Sequence, residues 1–192
     1  MTAIGQGALD ALERDADRFY GKYRGLVKDT SDPQQMGRLK ADVPEVLGDV
    51  TSGWALPCAP FAGQNAGFYT VPPTGSGVWI EFEAGDPSRP VWSGCWWSVG
   101  EVPLDEQGTQ SQPTRKILRT DQGLIVSLDD DAGTITLSDS TGQNLVTVKT
   151  TQGSIEIRST AKVVLEAPLI DHGDNAPHPA VFGDQLLTYL NQ

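Results

Sequence analysis

The sequence predicts a mainly β protein, built from an N-terminal helix, a small β-barrel, a repetitive β shaft and a short C-terminal tail. Its 192 residues include 21 Gly and 13 Pro, a turn-rich composition that disfavours a helical bundle. Residues Val78–Glu83 alternate strictly, with Val78, Ile80 and Phe82 on one face of a strand. Short apolar pairs separated by glycines then recur about every ten residues in the second half, which is typical of a β-helix or β-prism.

The net charge disfavours two classes of partner. With a net charge of −11, the chain lacks the basic surface that would bind nucleic acid or an anionic membrane. No apolar run reaches the roughly 18 residues that span a bilayer, and Met1–Asp10 has no pattern of a secretory signal. We therefore expect synthesis and assembly in the cytoplasm, without export directed by a signal peptide.

An amphipathic helix is predicted at the N-terminus, within residues 1–24. From Ala8 to Tyr23 the apolar positions step by three and four, and charged residues occupy the other face. The apolar positions are Leu9, Leu12, Ala16, Phe19 and Tyr23. Little more than two heptads is too short to be stable alone, so the stripe must pack on the chain's own body, a symmetry mate or a partner protein. The sequence leaves these three alternatives open.

A barrel is predicted over residues 25–97. Its extended candidates are Leu26–Lys28, Gly37–Val43, Gly53–Cys58, Val78–Glu83 and Val91–Trp97, separated by Asp-, Gly- and Pro-rich turns. The turn at residues 84–90 makes a hairpin of the last two. Five short strands suit a closed OB-type barrel, because closure removes exposed edges.

All tryptophans of the chain fall in the barrel region, and they allow two interpretations. They are Trp54, Trp79, Trp92, Trp96 and Trp97. Large aromatics commonly fill a small core or a protein interface, which we favour. The alternative is a carbohydrate-binding module that uses Trp79 and Trp97 as a stacking platform on the exposed face of the barrel.

A linker is predicted at residues 98–116 and a shaft at 117–171. The apolar groups of the shaft are Leu124/Val126/Leu128, Ile135/Leu137, Val146/Val148, Ile155/Ile157 and Val163/Leu165. Each repeat buries two or three side chains at about 1.5–3 kcal/mol apiece, whereas ordering its residues costs roughly 1–2 kcal/mol per residue. A single ribbon would also leave one face wet and its edges open. We therefore expect an intertwined homotrimer.

The sequence contains no motif of a known catalytic, cofactor or metal site. His172 and His178 lie in the C-terminal segment 172–192, without a partner pattern for nucleophilic catalysis. Asp129–Asp131 lacks the spacing of a calcium loop and is expected to be a solvated turn. Glu81 and Glu83 share a strand face and are expected to face solvent rather than act as an acid–base pair. We expect no enzyme activity.

The two cysteines, Cys58 and Cys95, are too few for a disulfide framework and lack the neighbours of a zinc site. We expect both to be small buried side chains, as free cysteines usually are.

Motifs in the barrel and at the start of the shaft carry a family resemblance. In the barrel they are Gly37–Pro44, Trp54–Ala55, Pro60–Gly63, Gly67–Tyr69, Pro72–Glu83 and Gly85–Val91; in the shaft they are Arg115–Thr120, Gly123 and Ser127–Asp130. Together they resemble the central spike proteins of contractile tails. That family includes phage baseplate spikes, the valine-glycine repeat proteins of type VI secretion and the spikes of extracellular injection systems.

The resemblance implies a structural role. It implies an OB barrel docked on a baseplate hub, a trimeric β-helix that transmits force to the target envelope, and only transient mechanical contact with the membrane. It also implies a particle component that becomes extracellular on delivery, and a PAAR-type tip protein seated on the C-terminal tail. The strict valine-glycine octad of the longer spikes is absent, since spacings here run about nine to eleven residues. No lysozyme domain separates barrel from shaft, and no His-x-His motif is present for an iron site at the apex. Metal binding by His172 and His178 on a trimer axis stays an open alternative.

Overall fold

The computed structural model describes residues 17–168, which divide into two units between Pro103 and Leu104. That division lies within the predicted linker 98–116. The N-terminal residues 1–16 and the segment 169–192 fall outside the described part, so most of the predicted helix, His172, His178 and the tail fall outside it too.

Five strands of the first unit form one sheet. They are β1 (Tyr23–Asp29), β2 (Lys40–Asp42), β3 (Leu56–Pro57), β6 (Gly77–Phe82) and β7 (Pro90–Trp96), in the order β2-β1-β6-β7-β3. All neighbours are antiparallel except β3, which runs parallel to β7. Between the two outer strands, Leu39 and Ala55 exchange both backbone hydrogen bonds, at 3.2 and 2.8 Å. This pair closes the sheet into the expected five-stranded barrel.

Shorter elements complete the first unit. Helix α1 (Pro44–Leu47) follows β2, and a small hairpin of β4 (Ala62–Gly63) and β5 (Ala66–Gly67) lies between β3 and β6. A 3-10 turn, Glu83–Gly85, joins β6 to β7.

The barrel core is filled from alternate positions of its strands. The core consists of Val27, Leu39, Ala41, Val43, Ala55, Val78, Ile80, Phe82 and Trp92. Val78, Ile80 and Phe82 point inward, whereas Trp79 and Glu81 lie half-buried on the other face, so the alternation predicted from the sequence is confirmed.

The predicted helix is wrong for the described residues before β1. Asp17–Lys22 form turn and irregular structure, and Tyr23 opens β1. Phe19 nevertheless packs on the barrel, because its ring meets those of Tyr23 and Phe82 with centroids 6.3 Å apart in each case. The backbone N–H of Phe19 also donates to the carbonyl of Gly85 at 2.9 Å. Tyr23 therefore lies in a strand despite the helical spacing of the sequence, because it pairs with Ile80 of β6.

The second unit is a five-stranded antiparallel meander. Its strands are β8 (Arg115–Arg119), β9 (Ile125–Asp129), β10 (Thr134–Ser138), β11 (Leu145–Lys149) and β12 (Ser154–Arg158), each paired with the next. Glycines with positive φ occupy the turns, and a Cβ at Gly133 would lie 2.7 Å from Thr151 Cγ2. Successive turns on one side thus pack closely on one another.

Two details of the predicted shaft are wrong. Strands β9, β10 and β11 are each hydrogen-bonded on both edges within the same chain, so no strand of another copy fits between them as an intertwined path requires. The last predicted pair, Val163 and Leu165, lies after β12 in irregular structure with both side chains exposed. Short antiparallel turns return the chain beside itself, and after Arg158 no further strand follows up to residue 168.

Truncating Ile80 should destabilise the first unit. The Ile80→Ala variant removes a fully buried core side chain, and we expect a loss of about 2–5 kcal/mol in the free energy of unfolding. The measurement is urea denaturation followed by tryptophan fluorescence. The matched control is Val50→Ala, because Val50 is 66% exposed and its truncation should change stability by no more than about 0.5 kcal/mol. Equal losses in the two variants would contradict the assigned core.

Candidate functional site

The meander sheet has one apolar face that nothing in the described chain covers. Strand register aligns its side chains in two rows across the strands. The first row is Leu118, Val126, Leu137, Val146 and Ile157; the second is Lys116, Leu128, Ile135, Val148 and Ile155. Leu137 is 50% exposed and Ile155 is 70% exposed. Contiguous apolar surface of this kind marks an interaction site.

The opposite face of the same sheet is mainly polar, with Ile117, Ile125 and Leu145 among its hydroxyl and charged side chains. Its central row is Ile117, Ser127, Thr136, Thr147 and Glu156. Ser127, Thr136 and Thr147 are buried, and the hydroxyls of the two threonines lie 3.2 Å apart. Short hydroxyl side chains fit beneath the longer charged ones that flank them, such as Lys149, whose Nζ lies 2.8 Å from a carboxylate oxygen of Glu156.

An ionic cluster fixes the first hairpin of this sheet. Arg115 donates to Asp105 at 2.7 Å and to Glu106 at 3.3 Å, and it also pairs with Asp129 across the strands. The side chains of all four residues are 9–20% exposed. Backbone N–H donation from Ala132, followed by the Arg115 guanidinium, lowers the pKa of Asp129. The loop at Asp105, part of the predicted linker, is thereby tied to the start of the sheet.

The acidic run Asp129–Asp131 is therefore not a fully solvated turn as expected. Asp129 is buried, and one of its oxygens accepts the N–H groups of Asp131 and Ala132 at 3.0 and 2.9 Å. The other two carboxylates are exposed: Asp130 pairs with Lys116, and Asp131 accepts from the Thr114 hydroxyl at 2.8 Å.

The remaining sequence candidates occupy separate places. Glu81 pairs with Lys22 and accepts from the Ser93 hydroxyl, and Lys22 is the main cause of its lowered pKa. Glu83 lies in the 3-10 turn and pairs with Arg89. The two carboxylates therefore have different cations and form no shared site. Among residues 17–168, no cluster of His, Cys, Asp or Glu is arranged to hold a metal ion.

Both cysteines are exposed, which corrects the expected burial. Cys58 follows β3 at the rim of the barrel, where its N–H donates to the carbonyl of Trp92 at 2.9 Å. Cys95 lies on β7, past an irregularity in the pairing with β6 that interrupts the inward–outward alternation. The burial of free cysteines is a tendency of the residue type, whereas these positions are set by the strand ends.

Only one tryptophan fills the barrel. Trp92 is in the core and donates its indole N–H to the carbonyl of Gly37 at 3.1 Å. Three others are half-buried on the outside beneath cations, and Trp97 is 63% exposed. Lys40 Nζ lies 4.7 Å from the ring centre of Trp54.

The outer surface of the barrel holds an arginine between two indoles. The guanidinium carbon of Arg24 lies 5.7 Å from the ring centre of Trp79 and 5.3 Å from that of Trp96. Trp96 is itself fixed by donation from its indole N–H to the carbonyl of Val78 at 3.1 Å. The Trp96 ring lies directly over Gly77, where an added Cβ would be only 2.5 Å from it.

Comparison with known proteins identifies the barrel. The family model of the Type VI secretion system/phage-baseplate injector OB domain matches residues 23–97. Over these residues the chain is similar to that family. The matched range begins at β1 and ends just after β7, so it coincides with the closed barrel. A search of curated proteins finds no match. The resemblance to contractile-tail spikes is thus confirmed on the barrel.

The injector OB domain also carries an uncharged groove beside its small hairpin. The groove has a volume of about 790 Å³ and lies between the β4–β5 region and β7. Met36, Phe61, Phe68 and Tyr69 line it, and all four are at least 50% exposed. No charged residue lines the groove. Among the residues that the structure describes, no helix is long and apolar enough to cross a bilayer.

Two features of these surfaces were missed from the sequence. The contact of Arg24 with the indole rings of Trp79 and Trp96 depends on which residues lie opposite each other, since Arg24 pairs with Trp79 across β1 and β6. The Arg115 cluster likewise joins residues 10 and 14 positions apart. The alternating pattern of the sequence predicts neither Trp79 as a neighbour of Arg24 nor Asp129 as a neighbour of Arg115. Both pairings follow from the cross-strand register.

Removing the Arg115 cation should destabilise the second unit. In Arg115→Met, three poorly exposed carboxylates lose their shared cation, and we expect a loss of roughly 3 kcal/mol at neutral pH. The matched control is Lys116→Met, because the Lys116–Asp130 pair is 60% and 63% exposed and contributes at most about 1 kcal/mol. Thermal unfolding followed by circular dichroism measures both losses.

The pH dependence of the Arg115 loss supplies a second readout. Because the folded-state pKa of Asp129 is depressed, its contribution is present above the unfolded-state value of about 4 and is lost as pH falls toward the folded value. The difference between wild type and Arg115→Met should therefore shrink below about pH 4. A difference that stayed constant down to pH 3 would assign the loss to packing alone.

A methyl group at Gly77 should displace Trp96. Gly77→Ala places a Cβ 2.5 Å from the Trp96 ring, and we expect a loss of about 1–3 kcal/mol with a changed fluorescence emission maximum. Gly53→Ala is the control, since a Cβ there meets nothing within 4 Å. Similar emission spectra for the two variants would contradict the close approach of Trp96 to Gly77.

Proposed function

We propose that this chain is the central spike of a contractile tail or contractile injection system, and that it acts as a homotrimer. Three shaft sheets would face one another across a common axis, with each chain supplying one facet of a prism. The observation that carries the proposal is the pair of uncovered apolar rows on the meander, joined in one chain to an injector OB domain.

Burial of the apolar face would contribute free energy on the scale that association requires. Nine large aliphatic side chains lie in the two rows, and each contributes about 1.5–3 kcal/mol when it is fully buried. Since the side chains are already partly buried in one chain, the remaining gain is on the order of 10 kcal/mol per chain. That gain is comparable to the estimated 4–15 kcal/mol that association costs.

Strand length favours three sheets. A five-residue strand is about 17 Å long at 3.4 Å per residue. Three such facets form a triangle whose sides lie about 5 Å from the axis, which is half the usual sheet-to-sheet distance of about 10 Å. Four facets would lie about 8.5 Å from the axis and leave a void, and two would leave both sides of the apolar layer open. The two apolar rows occupy the second and fourth positions of each strand and would run along the axis.

The role is mechanical. The barrel would dock on the baseplate hub, and the shaft would carry sheath-contraction force to the target envelope, with a separate tip protein on the C-terminal tail. Assembly in the cytoplasm would precede delivery outside the cell. This role needs stiffness and trimeric closure and assigns no residue to catalysis.

A carbohydrate-binding role has less support. Trp79 was one half of the suggested stacking platform, and the Arg24 guanidinium covers its ring. A sugar would have to displace that cation before it could stack. Of the five tryptophans, Trp97 is the only one that is largely exposed.

Light scattering coupled to gel filtration tests the trimer. The full-length chain of 20.6 kDa is expected to elute as a species three times that mass at micromolar concentration. A monomer under these conditions would contradict the proposal.

A matched pair of adjacent residues tests which face is buried. Ile155 and Ser154 are both exposed on β12 but lie on opposite faces of the sheet. Ile155→Asp should abolish the trimer, because it places a charge in the apolar layer. Ser154→Asp adds the same charge to the polar face and should leave the trimer intact. Equal effects of the two substitutions would show that the apolar rows are not the interface.

A further inference from the structure

Arg24 differs from the other arginines of the described chain. Arg18, Arg38, Arg89, Arg115 and Arg158 each pair with a carboxylate, and Arg119 donates to two backbone carbonyls. Within residues 17–168, Arg24 has two indole rings as neighbours and no oxygen acceptor. The nearby Glu81 is already held by Lys22 and Ser93.

The setting of Arg24 suits recognition of a carboxylate by a protein interface. Contact with the indole rings leaves the N–H groups on the edge of the guanidinium free to bind a planar carboxylate through two hydrogen bonds. Leu26, 48% exposed, lies two residues away on the same face. Tryptophan and arginine are the residues most enriched at the energetic centres of protein interfaces.

The first unit also has carboxylates without a donor. Of those described in it, Glu45 lies within helix α1 and Asp49 lies two residues after it. Both are exposed, and neither has a cation or a hydrogen-bond donor among residues 17–168. The neighbouring Val50 is 66% exposed, so the patch has an apolar side chain beside its charges. In the described part of one copy, Arg24 on the β1–β6–β7 face is thus a cation without an anion, and the carboxylates at α1 are anions without a cation.

We propose that Arg24 of one copy binds the carboxylates of Glu45 and Asp49 on the next copy. A cyclic trimer requires contacts of this kind, in which one patch meets a different patch on the neighbour. The inference rests on the proposed trimer, because the shaft would hold the three barrels close together and let a modest polar contact fix their rotation about the axis. The excess of Asp and Glu over Lys and Arg, 25 against 14, makes a second copy a fitting source of the carboxylate.

Zero-length crosslinking of the full-length Arg24→Lys variant tests the contact. The variant keeps the charge and introduces an amine that carbodiimide couples to a carboxylate in direct contact. We expect a denaturing gel to show chains linked in pairs, and mass spectrometry of that band to find position 24 joined to Glu45 or Asp49. The matched Arg24→Gln variant and the triple variant Arg24→Lys/Glu45→Gln/Asp49→Asn should both lose that link. The link between Lys22 and Glu81 within one copy reports that the reagent reaches this face.

The outcomes separate the inference from the proposed function. If the variant is trimeric by light scattering and the Lys22–Glu81 link forms, a missing link at position 24 overturns the inference and leaves the trimer intact. A link from position 24 to its own chain, including the carboxylates among residues 1–16, or to a carboxylate other than Glu45 and Asp49, overturns it as well. A wild-type monomer overturns both.

Discussion

The uncovered apolar face of the meander is the constraint on which the proposed assembly depends. One face of a single sheet stays exposed to water unless another layer covers it, and no layer of the described chain does so. The meander therefore leaves apolar side chains exposed in the single chain. The barrel, in contrast, closes through Leu39 and Ala55 and buries its own interior. The same polypeptide thus combines a barrel that buries its own interior with a sheet whose apolar face stays exposed in the single chain.

The polar face explains how such an open sheet keeps its shape. Hydroxyl groups and ion pairs satisfy one another within the chain there, and Arg115 ties the preceding loop to the first hairpin. A rigid facet presents its apolar side chains in fixed rows before any partner arrives, so less conformational entropy is lost on association. In the proposed trimer this face would point outward, and its charges would disfavour packing of two sheets through it.

Much of this architecture was predictable from local patterns, and the failures have physical causes. Alternation at Val78, Ile80 and Phe82 gave the inner face of the barrel correctly, because a strand has only two faces. Helical spacing misled at Tyr23, because pairing with Ile80 outweighed the intrinsic pattern. The apolar pairs of the shaft were found, but their path was not, since spacing alone does not distinguish a chain that winds around its copies from one that folds back beside itself. The Arg24 and Arg115 contacts depend on cross-strand register, which no local pattern contains.

The number of strands in the meander determines its length. Each strand adds one residue to each cross-strand row and advances the facet by one strand spacing, about 4.8 Å. The five strands β8–β12 therefore span about 20 Å between the first and last backbone. Adding or removing one hairpin would change that reach by about 10 Å without altering the rows on either side. In the trimer proposed above, the number of hairpins would therefore set how far the sheet extends along the axis and would leave its cross-section unchanged.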